Sequence, residues 1–239
     1  MRQPFDAVLF DLGNTLAAYY HAEQFQPILE TAIRNVLDEL QRRGHETMEF
    51  ATALAAALAA NREAADFRVR PLAERLVRVF NVESTVDQQV IAALSERFLE
   101  PIFAIGSRFE DALPVLSHLR AAGFRTGIVS NSPWGSPAAL WRVELQRLDL
   151  LEAVDVTVFC GDVGWRKPAK IIFDHAAQLL GVRPERCCFV GDDPKWDVEG
   201  AAIAGMWPIL IDRDQRHPGY AGARVANLWD VVRRLEVEP

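Results

Sequence analysis

Short, near-continuous apolar runs alternate with stretches of helical periodicity from about Phe109 to Leu210. With one run near the amino terminus, five read as strands: "DAVLFD" at 6–11, "RTGIVSN" at 125–131, "VTVFC" at 156–160, "CCFVG" at 187–191 and "PILID" at 208–212. Between them, a stretch such as "FEDALPVLSHLRAAG" repeats Leu113, Leu116 and Leu119 at helical spacing, and Gly123 supplies a left-handed stop. Strands that are apolar throughout belong to a sheet covered on both faces, and their alternation with helices marks parallel crossovers. The predicted fold class is α/β, with a doubly wound (Rossmann-like) parallel sheet as its core. Such sheets hold ligands at the carboxyl ends of their strands, where Asp11, Ser130 and Asp192 stand.

The rhythm breaks between about Ala17 and Ile105, where no strand is predicted. Phe25, Ile28, Leu29, Ala32, Val36 and Leu40 form one face of a helix before Gly44, and the alanine-rich "ATALAAALAANREAA" at 51–65 reads as another. This is an inserted α-helical module. Residues 17–105 are assigned to a helical cap domain, and residues 1–16 with 106–239 to the α/β core domain. Because the insertion falls between the first strand and the rest of the sheet, its linkers must stay near Asp11; the natural expectation is a lid over that end.

Composition narrows the classes. The chain has 239 residues, of which half are hydrophobic and a quarter charged, enough apolar material for a full core rather than a disordered chain. A formal net charge of −7 argues against nucleic acid as a partner, while leaving room for a local cationic pocket that holds a small phosphate. The three cysteines, Cys160, Cys187 and Cys188, make a disulfide framework improbable, since two are adjacent inside an apolar run. No window reaches the roughly 18 apolar residues of a membrane span. The opening "MRQPFDAVLFDLGN" shows no export signal, so a cytoplasmic location is expected, with no membrane partner. Oligomeric state cannot be read from the sequence.

Four segments carry the chemistry: "FDLGNTL" with Asp11, "GIVSN" with Ser130 and Asn131, "WRKPAKIIF" with Lys167, and "FVGDDPKWDVEGAAIAGM" with Asp192, Asp193 and Asp197. A carboxylate at a strand end can attack phosphorus and form an aspartyl-phosphate that water later hydrolyses. Its approach to an anionic phosphate needs charge relief, which a hard cation such as Mg²⁺ held by Asp11 and Asp192 would give, with Asp193 and Asp197 as further ligands or as groups that orient them. Ser130 and the backbone N–H groups after it face the same place. Lys167 is the fixed positive charge, with Pro168 suited to a first helical position. Each segment alone has an ordinary explanation as a cap or turn. All four on neighbouring strand ends point to a small phosphorylated substrate.

This set resembles the haloacid dehalogenase-like (HAD) hydrolase superfamily, whose first motif runs Asp-x-Asp-Gly-Thr, followed by a strand-end Ser or Thr, a Lys-Pro and a Gly-Asp motif with a further Asp. The insertion resembles that family's C1-type cap. The resemblance implies a Mg²⁺-dependent phosphatase in which Asp11 is the nucleophile, Asp11, Asp192 and the Gly13 carbonyl bind the metal with Asp197 in support, and Ser130 and Lys167 hold the phosphoryl group; Asn14 and Asn131 are placed with them at the phosphate. One departure stands out. The family's usual acid/base Asp is replaced by Gly13, and Asn14 replaces its glycine. Haloacid dehalogenases also lack this Asp, but they have no use for "GDD"; phosphonoacetaldehyde hydrolases need a cap lysine, and the only lysines here are Lys167, Lys170 and Lys195. What remains is a phosphatase with a good leaving group or an acid supplied elsewhere, or a catalytically weak HAD-like protein that binds its ligand. His21 and Glu23 are the candidate replacement acids, and Arg68 or Arg70 the candidate cap contacts to a second anionic group on the substrate.

Overall fold

The structure, a computed structural model, describes residues 5–61, 65–82 and 87–237. The outermost residues of the core assignment, and 62–64 and 83–86 of the insertion, lie outside it. Six strands form one sheet: β1 (Ala7–Phe10), β4 (Arg125–Ser130), β5 (Val156–Phe159), β6 (Cys187–Gly191), β7 (Trp207–Ile211) and β8 (Arg224–Val225). Their order is β5-β4-β1-β6-β7-β8 and every pairing is parallel. The protein is thus a doubly wound α/β fold. All five predicted strands are present; β8, only two residues long, is too short to leave a periodic signal.

Both faces of the sheet are buried, which explains why its strands are apolar without interruption. Successive residues point to opposite sides: Val8 and Phe10 of β1 join one apolar cluster with Ile128, Val190 and Ile209, while Ala7 and Leu9 join a second with Val129, Phe173 and Phe189. The adjacent Cys187 and Cys188 fall on opposite faces for the same reason. All three cysteines are buried and none forms a disulfide. The covering helices of the core are α5 (Ala112–Ala121), α6 (Ala138–Arg147), α7 (Cys160–Val163), α8 (Lys170–Leu180), α9 (Gly200–Ala204) and α10 (Leu228–Val237). Among the described residues no helix is long and apolar enough to cross a membrane.

The insertion carries α1 (Phe25–Arg42), α2 (Phe50–Ala60), α3 (Leu72–Val79) and α4 (Gln88–Ile105). The buried stripe of α1, with Leu29, Ala32, Ile33, Val36 and Leu40, packs mainly on α4. Contrary to expectation, the segment is not free of strand. Ala17–Ala18 (β2) pairs antiparallel with Ser107–Arg108 (β3), so departing and returning linkers lie side by side next to Asp11. A second contact closes on the other side: the Val69 N–H donates to the Gly164 carbonyl at 3.0 Å and the Arg166 N–H to the Phe67 carbonyl at 2.9 Å.

Gly127, in β4, pairs with Leu9 of β1 on one side and Val156 of β5 on the other. A Cβ there would stand 2.7 Å from Leu9 Cδ2 and 2.7 Å from Val156 Cγ2, both fixed on neighbouring strands. Gly127→Ala is expected to lower the urea midpoint with an unchanged slope, corresponding to a loss of about 1–3 kcal/mol from overpacking.

Candidate active site

The strand order reverses direction at β1: the chain moves from β1 to β4 and β5 on one side, then crosses to β6 and β7 on the other. The crevice at such a switch point lies beyond the strands' carboxyl ends. Asp11 follows β1 directly, its N–H donating to the Val190 carbonyl at 2.9 Å. Ser130 ends β4 and Asp192 follows β6. Around them is a cavity of about 460 Å³ whose lining includes Asp11, Gly13, Asn14, Ser130, Asn131, Lys167, Asp192, Asp193 and Asp197. The structure therefore brings every predicted core-site residue to one place.

Lys167 is the pivot. Only 2% exposed, its Nζ donates to Asp11 Oδ1 at 2.5 Å and to Asp197 Oδ1 at 2.6 Å. Burial alone would lower its pKa, but the two carboxylates outweigh that and raise it, so the side chain stays charged. Its backbone is fixed by Asn131, whose Oδ1 accepts from the Lys167 N–H at 2.8 Å and whose Nδ2 donates to the Lys167 carbonyl at 3.3 Å. Asn131 thus spends its amide on holding the lysine. The expectation that Pro168 opens a helix is not met: α8 begins at Lys170, and Lys167–Pro168 lies in the turn before it.

The carboxylates divide their work. Asp11, Asp192 and Asp197 offer oxygens within 4.8 Å of one another. Burial first, then the charges of Asp11 and Asp197, push the Asp192 carboxyl up to about 8. Asp197, almost fully buried, is pushed up to about 7 by burial, with Lys167 opposing and Asp11 adding to the shift. When all three ionise, as cation binding would require, three carboxylates against one ammonium leave two negative charges in excess. An all-oxygen, doubly anionic donor set fits a hard divalent cation such as Mg²⁺. Asp193 serves the loop instead: its Oδ1 accepts from the N–H groups of Lys195 and Trp196, both at 2.8 Å, and caps the helical turn Pro194–Glu199. Asp197 Oδ2 accepts from the Asp193 N–H at 3.0 Å.

Two local sequence choices make this crowding feasible. A Cβ on Gly191 would stand 2.4 Å from both Cγ and Oδ2 of Asp197, so only glycine lets the end of β6 approach that carboxylate. Asn14 has φ +54°, the left-handed region that Asn tolerates well, and its side chain hydrogen-bonds Asp192 rather than pointing away from the acidic cluster. Ser130 Oγ makes only a long contact of 3.4 Å to the Asn131 carbonyl, which leaves its hydroxyl available.

The residues nominated outside the core motifs are elsewhere. His21 faces Asp214 at 3.7 Å, Glu23 is exposed, and neither lines the cavity. Arg70 pairs with Asp66 at 3.0 Å and Arg68 lies over the Trp165 ring at 4.4 Å, also away from it. What sequence reasoning missed is the apolar and aromatic part of the lining: Tyr19, Tyr20, Ile102, Pro133, Trp141 and Trp196. Its one visible signal was the pair "YY" in the first linker.

A profile described as "haloacid dehalogenase-like hydrolase" matches residues 5–205. The chain belongs to that family. Among relatives of this HAD-like hydrolase, the glyceraldehyde 3-phosphate phosphatase of Methanopyrus kandleri is 32% identical over 62% of this chain and 66% of its own length. The (S)-2-haloacid dehalogenase 1 of a Pseudomonas species is 33% identical over 54% of this chain and 55% of its own. The chain thus spans less than two thirds of the length of either relative. A solved HAD phosphatase from Thermococcus onnurineus superposes with a TM-score of 0.69 at 25% identity, covering 98% of this chain and 99% of that one. Phosphatases and dehalogenases both stand among its relatives.

The raised carboxyls give the metal-free protein a signed pH dependence. Unfolded carboxyls lose their protons first as pH rises from about 4, while folded Asp192 and Asp197 hold theirs until about 7–8, so folding stability falls across that window. In chelator-treated protein, Asp192→Asn should raise Tm relative to wild type by an amount that grows from pH 4 to pH 8, measured by calorimetry in parallel scans.

Proposed function

We propose that this HAD-like hydrolase is a Mg²⁺-dependent phosphatase acting on a small phosphorylated metabolite through an aspartyl-phosphate. The observation that carries this is the doubly anionic cluster of Asp11, Asp192 and Asp197 around one buried ammonium in the switch-point cavity. Asp11, Asp192 and the Gly13 carbonyl would hold Mg²⁺, which when bound supplies Lewis-acid neutralisation of the phosphoryl charge.

Lys167 engages Oδ1 of Asp11, which leaves Oδ2 as the attacking oxygen. A new Oδ2–P bond forms as the bond to the leaving oxygen breaks, and the leaving oxygen departs with the electron pair. Ser130 Oγ and the Asn131 N–H hold equatorial phosphoryl oxygens, with the Lys167 ammonium offsetting their charge. Water then attacks phosphorus, releases inorganic phosphate and restores Asp11. The helical insertion acts as the lid, anchored at its β2/β3 stem and touching the core again at Phe67–Val69.

Gly13 removes the usual proton donor without closing the space for it. A Cβ built there meets nothing within 4 Å, and the residue lines the cavity. A positioned general acid contributes roughly 10²–10⁴-fold, so leaving groups that depart without protonation are favoured. Neither His21 nor Glu23 lies where it could replace that acid.

p-Nitrophenyl phosphate should be hydrolysed only with Mg²⁺, and Asp11→Asn should reduce that rate by about three orders of magnitude or more. Halide release from (S)-2-chloropropionate without phosphate release would instead select dehalogenation. Gly13→Asp is expected to raise kcat on alkyl phosphates by about 10²-fold while changing p-nitrophenyl phosphate little, because only the alkoxide needs the added proton.

A further inference from the structure

The lining of the cavity combines acidic and aromatic side chains. Among the described residues, the cavity lining holds four carboxylates, those of Asp11, Asp192, Asp193 and Asp197, against the single ammonium of Lys167. With all four ionised, that balance stays negative even after one divalent cation is counted, and the ammonium is already shared by Asp11 and Asp197. Arg68 and Arg70 are engaged elsewhere, and Arg166 and Lys195 sit against the Trp196 ring without lining the cavity. Among the described lining residues, a second anionic group on the substrate would find no cation beyond that shared lysine.

What the lining offers instead is ring surface. Tyr19, Tyr20, Trp141 and Trp196 line it together with Ile102 and Pro133. Two of the polar ends are already committed. The Tyr19 hydroxyl donates to Glu144 Oε1 at 3.3 Å, and the Trp141 Nε1–H donates to Ser136 Oγ at 2.8 Å. Tyr19 and Trp141 are held edge to face with centroids 5.7 Å apart, so these rings are packed before any ligand arrives. Preorganised aromatic faces bind flat apolar surfaces at little cost in side-chain entropy.

Resting on the phosphatase reading, we propose that the leaving group selected by this cavity carries no charge of its own and presents a flat apolar face, as an aryl ring or the C–H face of a neutral sugar does. Phosphorylated carboxylic acids and bisphosphates are disfavoured, because no described lining residue supplies a second cation for their other charge. Tyr20 and Trp196 contact the leaving group and set this preference, whereas Asp11, Lys167 and Ser130 contact only the phosphoryl end.

The test uses non-hydrolysable probes, so that binding is read independently of turnover. The Mg²⁺-loaded full chain is titrated calorimetrically with benzylphosphonate, 4-carbamoylbenzylphosphonate and 4-carboxybenzylphosphonate. The two neutral probes should bind within about three-fold of each other, and the carboxylate should bind about ten-fold more weakly or worse. Tyr20→Arg should remove most of that gap by supplying the missing cation. A carboxylate probe that binds as tightly as its carbamoyl isostere overturns the preference; if p-nitrophenyl phosphate is still hydrolysed, the phosphatase reading survives. Failure of all three phosphonates to bind overturns the preference, and the phosphatase reading falls with it only if p-nitrophenyl phosphate is left unhydrolysed as well. Competition by glucose 1-phosphate and by phenyl phosphate then distinguishes a sugar face from an aryl ring, and equal exclusion of both also overturns the proposal.

Discussion

A charged lysine enclosed between two carboxylates governs the rest of this molecule. Lys167, Asp11 and Asp197 are nearly inaccessible to water, and removing either partner of such a buried pair leaves an uncompensated charge at a cost of about 3–5 kcal/mol. Neither charge could stand there alone. The surrounding backbone is arranged to keep them together: Asn131 clamps the lysine's peptide groups from β4's end, and Asp193 and Asp197 brace each other across the turn after β6. The arrangement leaves Asp192 without a cation of its own, which is why burial and its neighbours raise its pKa and why the cluster fits an external divalent ion.

That cluster can be assembled only because the sheet is wound in two directions from β1. Reversal at the centre places three consecutive strand ends, β4, β1 and β6, around one crevice, and each delivers one group from a rigid, hydrogen-bonded strand. Burial of both sheet faces holds those ends against the repulsion they concentrate. Gly191 shows how tight the fit is, since even one methyl group there would overlap the Asp197 carboxylate.

The core was legible in the sequence because its signals are local. "CCFVG" coincides with β6 residue for residue, and the apolar runs preceding Asp11, Asn131 and Asp192 each become a strand. The order of motifs likewise located the whole acidic and basic cluster. The division of labour inside it was not legible. Asn131 was assigned to phosphate and Asp193 offered as a metal ligand, yet in the structure the first side chain holds Lys167 and the second caps a helical turn. Both are choices of side-chain direction, which residue type does not encode. The aromatic wall was invisible for another reason: Tyr19, Ile102, Trp141 and Trp196 are far apart in the chain and share no spacing. His21 and the cap arginines failed as candidates because proximity in sequence to Asp11, or membership of the insertion, says nothing about which way a side chain faces.

The second contact of the insertion lies beside the charge cluster. Phe67 meets Trp196 edge to face with centroids 6.2 Å apart, and the Arg166 guanidinium carbon lies 5.7 Å from the Phe67 ring and 5.0 Å from the Trp196 ring. Arg166 precedes Lys167, and Trp196 precedes Asp197. The side chains on which the insertion rests are therefore the immediate chain neighbours of two members of the buried ion group. Trp196 belongs to both places at once, since it lines the aromatic side of the cavity and meets the insertion at Phe67.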